Sequence, residues 1–167
     1  MDWKTIEEQQ SRSFRNSEVI AGTLIVIGVL LLFSEQRLYG AIFTVAGICL
    51  ALGYLSRKRR FQASVRLMGG ASLQKEAEEG TDFPAFHLLL TKRGAILYGR
   101  QVQLLPYEEA DKFEVGLSPR GDKALFLTKD GRRTQLALTA SGDGNQQSFD
   151  RAYEIVRDAM HQKGGKR

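Results

Sequence analysis

The sequence predicts an α+β chain in which a hairpin of two membrane-spanning helices precedes an antiparallel β-domain capped by a C-terminal amphipathic helix. Three observations predict it. Two uncharged apolar runs fall within residues 19–55, the stretch from 85 to 139 alternates apolar and polar residues between glycine and proline breaks, and the apolar residues of 148–162 recur at helical spacing.

Residues 19–33 (VIAGTLIVIGVLLLF) carry no charge, and about fifteen residues at the helical rise reach about 23 Å. Residues 38–55 (LYGAIFTVAGICLALGYL) are also uncharged and reach roughly 27 Å, close to the thickness of a hydrocarbon core. Only Ser34, Glu35, Gln36 and Arg37 separate the runs, so both ends of the hairpin must lie on one side. Lys4, Arg12 and Arg15 precede the first run and Arg57, Lys58, Arg59 and Arg60 follow the second. Basic residues flanking a span are held in the cytoplasm, which predicts cytoplasmic N- and C-termini at a cell membrane. The acids among residues 1–18 and the distance of the apolar run from the start speak against a cleaved signal peptide.

The expected division is a cytoplasmic N-terminal segment 1–18, the hairpin 19–55, a basic juxtamembrane linker 56–60, a cytoplasmic domain 61–162 and a disordered tail 163–167. The second apolar run places Gly40, Thr44, Gly47 and Ala51 along one face, where small side chains let a neighbouring helix approach closely. The partner of that face is the first helix, and a second copy of the chain is a further candidate.

In a chain of 167 residues there is room for one compact domain beside this hairpin. The net charge of +5 owes much to residues 57–60, whose position suits topology and lipid contact better than a nucleic-acid footprint, so no nucleic acid is expected as a partner. The single cysteine, Cys49, lies within the second apolar run. It has no disulfide partner, and with only His87 and His161 the chain is too poor in ligands for a Cys/His metal site.

Beyond residue 60 the pattern predicts strands at 61–67 (FQASVRL) and 85–91 (AFHLLLT), with a polar loop or short helix between them. Lys92, Arg93 and Gly94 make a turn. Strands follow at 95–98, at 101–105, ended by Pro106, and at 112–117. The clearest hairpin spans 123–139 (KALFLTKDGRRTQLALT), where Asp130-Gly131 supplies the positive φ angles of a tight turn. A flexible connector (SGDGNQQ) leads to the last helix, with Ser148 as its N-cap and Phe149, Ala152, Tyr153, Val156 and Met160 on its apolar face.

The segments LLLTKRGAILYGRQVQLLPYEEADKFEVGL and LFLTKDGRRTQLALT, followed by that helix, resemble a bacterial pleckstrin-homology-like (PH-like) domain over residues 86–160. The aliphatic-proline-aromatic-acidic step Leu105-Pro106-Tyr107-Glu108 matches the resemblance. It implies a bent antiparallel sheet or barrel closed at one corner by the helix, and several bacterial families join two membrane helices to such a domain. Lipid-binding members grip phosphorylated inositol with several basic residues around the first hairpin turn; this sequence departs from them, because Lys92-Arg93 is followed only by Arg100, and these three are the candidates for a domain surface contact.

No catalytic constellation emerges. His87 and His161 lack a nucleophile at motif spacing, the acids at 76–79 and 108–111 fall in polar loops, and Gly69-Gly70 and 142–144 lack the strand-loop-helix context of a phosphate loop. The sequence therefore predicts a non-enzymatic protein without cofactor: a membrane-anchored scaffold or adaptor in a membrane protein complex. Its expected partners are membrane lipid and another membrane protein or a second copy. The alternative expectation is a sensor of anionic lipid headgroups that uses the basic cluster and the domain.

Overall fold

The structure is a computed structural model and describes residues 3–99 and 102–164. The chain is α+β: two long helices, two antiparallel sheets and a C-terminal helix. It divides into two compact units, residues 7–63 and a unit joining residues 1–6 to 64–167.

Helix α1 runs Trp3–Leu32 and helix α2 runs Arg37–Leu67. Both are long and apolar enough to cross a membrane, and only 11% of the apolar window of each is buried inside the molecule. Each spans about 45 Å, well beyond its apolar run. Once a helix is nucleated, each further residue is fixed for one more hydrogen bond. The Arg, Lys, Gln and Ala of 57–66 are good helix formers, so α2 absorbs both the expected linker 56–60 and the expected strand 61–67. Phe61, read as a strand residue, instead meets Phe14 of α1 edge-on at 5.8 Å. The helix stops where Gly69 turns left-handed at φ 113° and donates its N–H to the Arg66 carbonyl. Residues 3–18, expected only as an N-terminal segment, are likewise helical.

The second unit begins with a short helix α3 (Leu73–Glu78). Strands β1 (Thr81–Phe83), β2 (Leu88–Leu90), β3 (Gly94–Leu97) and β4 (Gln103–Pro106) form one antiparallel sheet in sequential order. Strands β5 (Lys112–Leu117), β6 (Lys123–Lys129) and β7 (Arg132–Thr139) form the other. Neither sheet closes on itself, so the expected barrel is replaced by two open sheets. The expected strand 85–91 shrinks to three residues, because Pro84 starts a 3₁₀ turn through Phe86 and His87 takes a left-handed φ of 50°. Of the expected strand 101–105, Gln101 lies outside the described residues.

Both sheets and helix α4 (Gln146–Gly164) share one core. Leu88, Leu90 and Ala95 enter it from the first sheet, Leu125, Leu127, Leu136 and Ala137 from the second, and Phe149, Ala152 and Val156 from α4. Strand β2 is buried along its whole length, which explains why its sequence is an unbroken Leu-Leu-Leu rather than an alternation. Its middle residue, Leu89, pairs with Ile96, which pairs with Leu104, and all three are buried on the face opposite the shared core. Also buried in this unit are Met68, Leu73 and Ala77, together with Trp3 and Ile6 from the start of α1. Met68 stands directly over Gly94, where an added Cβ would come within 2.8 Å of the Met68 methyl carbon.

In the β6–β7 hairpin Lys129 pairs with Arg132 across Asp130 (φ 50°) and Gly131 (φ 71°), the left-handed pair that a two-residue turn demands. The alternation of 134–139 predicts one inward set, yet Leu136 and Ala137 are both buried. A bulge between the partners of Leu125 and Phe126 inserts Leu136 as an extra residue and reverses the facing of the residues beyond it. Helix α4 begins at Gln146, so Ser148 lies inside it and not at its cap. Asp143 organises the turn ahead of the helix instead: its carboxylate accepts N–H groups from Ala140 and Asn145 at 2.8 and 2.9 Å. The expected tail is helical at 163–164, and 165–167 lie outside the described residues.

Candidate functional site

Three surfaces carry the residues of functional interest. The first is the contact within the helical hairpin. Gly40 and Gly47 of α2 are buried, and a Cβ added at either would collide with α1, at Gly40 2.6 Å from the Leu32 amide nitrogen and at Gly47 3.0 Å from that of Ile25. Thr44 donates its hydroxyl to the Gly40 carbonyl at 2.8 Å, which satisfies it within its own helix and leaves its body beside Gly28. Ala51 is half-buried on the same face. Such backbone proximity yields dispersion contacts that larger side chains would prevent. Further along, the Tyr54 hydroxyl lies 3.3 Å from the Glu18 carboxylate and 3.3 Å from the Lys58 ammonium, and Phe14 packs edge-on against Tyr54.

The second surface is basic. Arg57, Lys58, Arg59 and Arg60 are exposed in the interior of α2. Consecutive helical residues are set about 100° apart, so four of them encircle the helix instead of lining one side. Lys92 and Arg93, at the β2–β3 turn, are placed differently. Lys92 pairs with Glu79 at 3.2 Å and Arg93 with Glu76 at 3.2 Å, so α3 and the residue after it supply a carboxylate to each. The third member of that expected trio, Arg100, lies outside the described residues. The acids of 76–79, read from the sequence as a solvated run, are thus partners of this turn. The signal was their helical spacing of three, which puts Glu76 and Glu79 on one side of α3.

The third surface was not picked out in the sequence. Among the described residues strand β5 is an edge strand, its neighbour being β6 on one side only. Its residues Phe113, Val115 and Leu117 point to one face. Phe113 stacks on Tyr153 of α4 at 5.4 Å, while Val115 is 41% and Leu117 71% exposed. Among the described residues these two are the only large, strongly exposed aliphatic side chains outside α1 and α2. The opposite face of the strand is tied down electrostatically. Glu114 pairs with Lys112 and, at 3.0 Å, with Arg133, whose guanidinium lies 4.2 Å over the Phe126 ring. The hydrogen bond from Lys112, with both nearby cations, holds the Glu114 carboxyl below its ordinary range.

The histidines stand apart from these surfaces. His87 is exposed and meets the edge of Tyr98 at 5.7 Å, and Tyr98 donates its hydroxyl to Asp82. His161 is exposed near the end of α4. Among the described residues no three His, Cys, Asp or Glu side chains gather closely enough to hold a metal ion. Cys49 is exposed on α2. Compared with protein-family models, with curated proteins and with solved structures, the chain gives no match.

Proposed function

We propose that the chain is a membrane-anchored adaptor whose helical hairpin sits in the cell membrane with both termini cytoplasmic, and whose β-domain takes an extended segment of a partner membrane protein along strand β5. The observation that carries the reading is the exposed pair Val115 and Leu117 on an unpaired strand edge beside α4. An edge strand offers free N–H and C=O groups at alternate positions, and an incoming strand that pairs with them gains affinity from the backbone and specificity from the side chains between. A rim of fixed charge at Lys112, Glu114 and Arg133 would set the direction of the added strand.

The PH-like reading of the domain rests on its order of elements: four antiparallel strands, three more in a second sheet, and one helix packed on both through a common core. The membrane reading rests on two helices that expose their apolar side chains along their length, Val19, Val26, Leu30, Leu38, Val45 and Leu52 among them. Within the domain, the turn that lipid-binding relatives of this fold would use carries Lys92 and Arg93 already matched to Glu79 and Glu76. That balance favours a protein ligand over a lipid one for the domain.

A photo-crosslinking residue in place of Leu117, in the full chain within native membranes, should give one discrete adduct that the double variant Val115→Lys/Leu117→Lys no longer co-purifies. A crosslinker at the exposed Ser141 serves as the control. Absence of any adduct at 117 above that control removes the β5 docking reading.

A further inference from the structure

The continuation of both helices past their apolar runs brings together basic residues that are distant in sequence. Gly28 meets Thr44, Ile25 meets Gly47 and Glu18 meets Tyr54. These pairs step down α1 and up α2 by equal amounts, so the register extends in the same way beyond them. It sets Arg15 level with Arg57, and Arg12 level with Arg60. The edge-on contact of Phe14 with both Tyr54 and Phe61 shows that the two helices are still packed at that height.

The result is a band of six cations around the helix pair, within about two turns of the exposed apolar side chains Val19, Ile20, Leu52 and Leu55. Two members have partners: Arg12 pairs with Glu8 at 3.7 Å, and Lys58 contacts the Tyr54 hydroxyl and ring. Arg15, Arg57, Arg59 and Arg60 are exposed and form no ion pair with a carboxylate of any described residue. Four guanidiniums without counterions among the described residues, three set around α2 and one level with them on α1, gather positive charge at one height of the hairpin. Each has the fork of donors that fits phosphate oxygens.

We propose that Arg15, Arg57, Arg59 and Arg60 form a two-helix collar that binds the phosphate groups of anionic lipids and so enriches those lipids around the hairpin. The ligand is a membrane lipid and not a soluble phosphate, because the collar adjoins an apolar belt that would cover the acyl chains while the guanidiniums reach the headgroup. The collar serves as more than a topology signal: a signal needs only charge on the right side, whereas Arg57, Arg59 and Arg60 are set around α2 and Arg15 of α1 stands level with Arg57. The inference rests on the membrane reading of the hairpin and is independent of docking at β5.

The test uses the full chain in lipid nanodiscs, with a donor dye on Cys49, which lies on α2 near the band. Trace acceptor-labelled phosphatidylglycerol should receive energy several-fold more effectively than acceptor-labelled phosphatidylcholine at the same mole fraction. That preference should fall to near parity in the variant Arg15→Gln/Arg57→Gln/Arg59→Gln/Arg60→Gln and be retained only in part in the corresponding fourfold Arg→Lys variant, which keeps the charge and loses the fork. Inorganic phosphate, added at matched ionic strength, should leave it unchanged. Equal transfer to both lipids in the native chain overturns the proposal, as does a preference that survives in the glutamine variant. Abolition by inorganic phosphate assigns the collar to soluble anions and overturns the lipid claim. A chain that fails to enter the discs overturns the collar and the membrane reading together, while leaving the β5 crosslink to be judged by its own result.

Discussion

Gly28 and Gly40 face each other across the helical hairpin so closely that neither can carry a side chain: a Cβ at Gly40 would lie 2.8 Å from the Gly28 carbonyl oxygen, and one at Gly28 3.0 Å from the Gly40 carbonyl oxygen. Backbone cannot yield as a flexible side chain does, so substitution must separate the helices. Gly40→Val should therefore destabilise the hairpin by about 1–3 kcal/mol, the usual cost of overpacking, read as earlier unfolding of the full chain in detergent. Gly22→Val and Gly53→Val meet nothing within 4 Å. They should unfold no earlier than the native chain, since valine is the better helix former, and equal losses at all three positions would show that the Gly28–Gly40 contact is not what is being measured.

Tyr107 is buried in the core that the two sheets share, and among the described residues its hydroxyl finds no hydrogen-bond partner. Burial pushes its phenol far above the ordinary tyrosine range, so it stays protonated at any working pH. An unpaired buried hydroxyl is a cost to the fold that removal relieves. Tyr107→Phe should leave stability unchanged or raise it by up to about 1 kcal/mol, whereas Tyr107→Ala should lose about 3–5 kcal/mol as a large aromatic leaves the core. A clear loss in the phenylalanine variant, measured by chemical denaturation, would reveal a bonded partner for the hydroxyl.

The apolar runs of α1 and α2 and the Asp130-Gly131 turn were legible in the sequence because each depends on local chemistry: absence of charge over a long window, and a residue pair tolerant of positive φ. The features that the sequence hid depend on contacts between distant segments. Residues 61–67 alternate well enough to read as a strand, and only the helix already running into them, with Phe14 waiting beside Phe61, decides otherwise. The bulge at Leu136 comes from fitting both Leu136 and Ala137 into the core, which no pattern within β7 announces. The burial of Trp3 and Ile6 in a unit that resumes at Ser64 was equally invisible. Of the candidate sites, Gly40 and Gly47 could be read from spacing alone. Arg15 could be placed beside Arg57 only once the helix register was known, and the pairing of Arg93 with Glu76 needed α3 folded against the turn.

The Asp143 carboxylate accepts N–H groups from Asn145 and Ala140 and the Thr139 hydroxyl. The backbone bonds from Asn145 and Ala140 hold its pKa below the ordinary aspartate value. A carboxyl whose pKa is depressed on folding is protonated more readily in the unfolded chain. Its stabilising effect is thus complete at neutral pH and is lost as the pH falls below about 4 toward the folded-state value. Asp143→Ala should lower the midpoint of thermal unfolding at pH 7 and flatten its dependence on pH below about 4. An unchanged acid limb in this variant would mean that the connector ahead of α4 holds without its carboxylate.

Topology decides which side of the membrane β5 and the arginine collar face. The connection between the two apolar helices carries one cation, Arg37, beside Glu35, whereas the other end of the hairpin carries Arg12, Arg15 and residues 57–60. Short connections follow the bias of basic residues toward the cytoplasm, and the equal register of the two helices places those charges at one level, where they act together. In a Cys49→Ala background, Gln36→Cys should react with a membrane-impermeant thiol reagent on intact cells, because residue 36 is exposed at the tip of the hairpin. Ser141→Cys, exposed in the domain, should react only after the cells are opened. Reversing the charge balance, with glutamine at residues 57–60 and lysine at Glu35 and Gln36, should shift part of the population to the opposite pattern. Labelling of residue 141 on intact cells by the otherwise native chain would place the domain outside the cytoplasm and end the adaptor reading with its cytoplasmic termini.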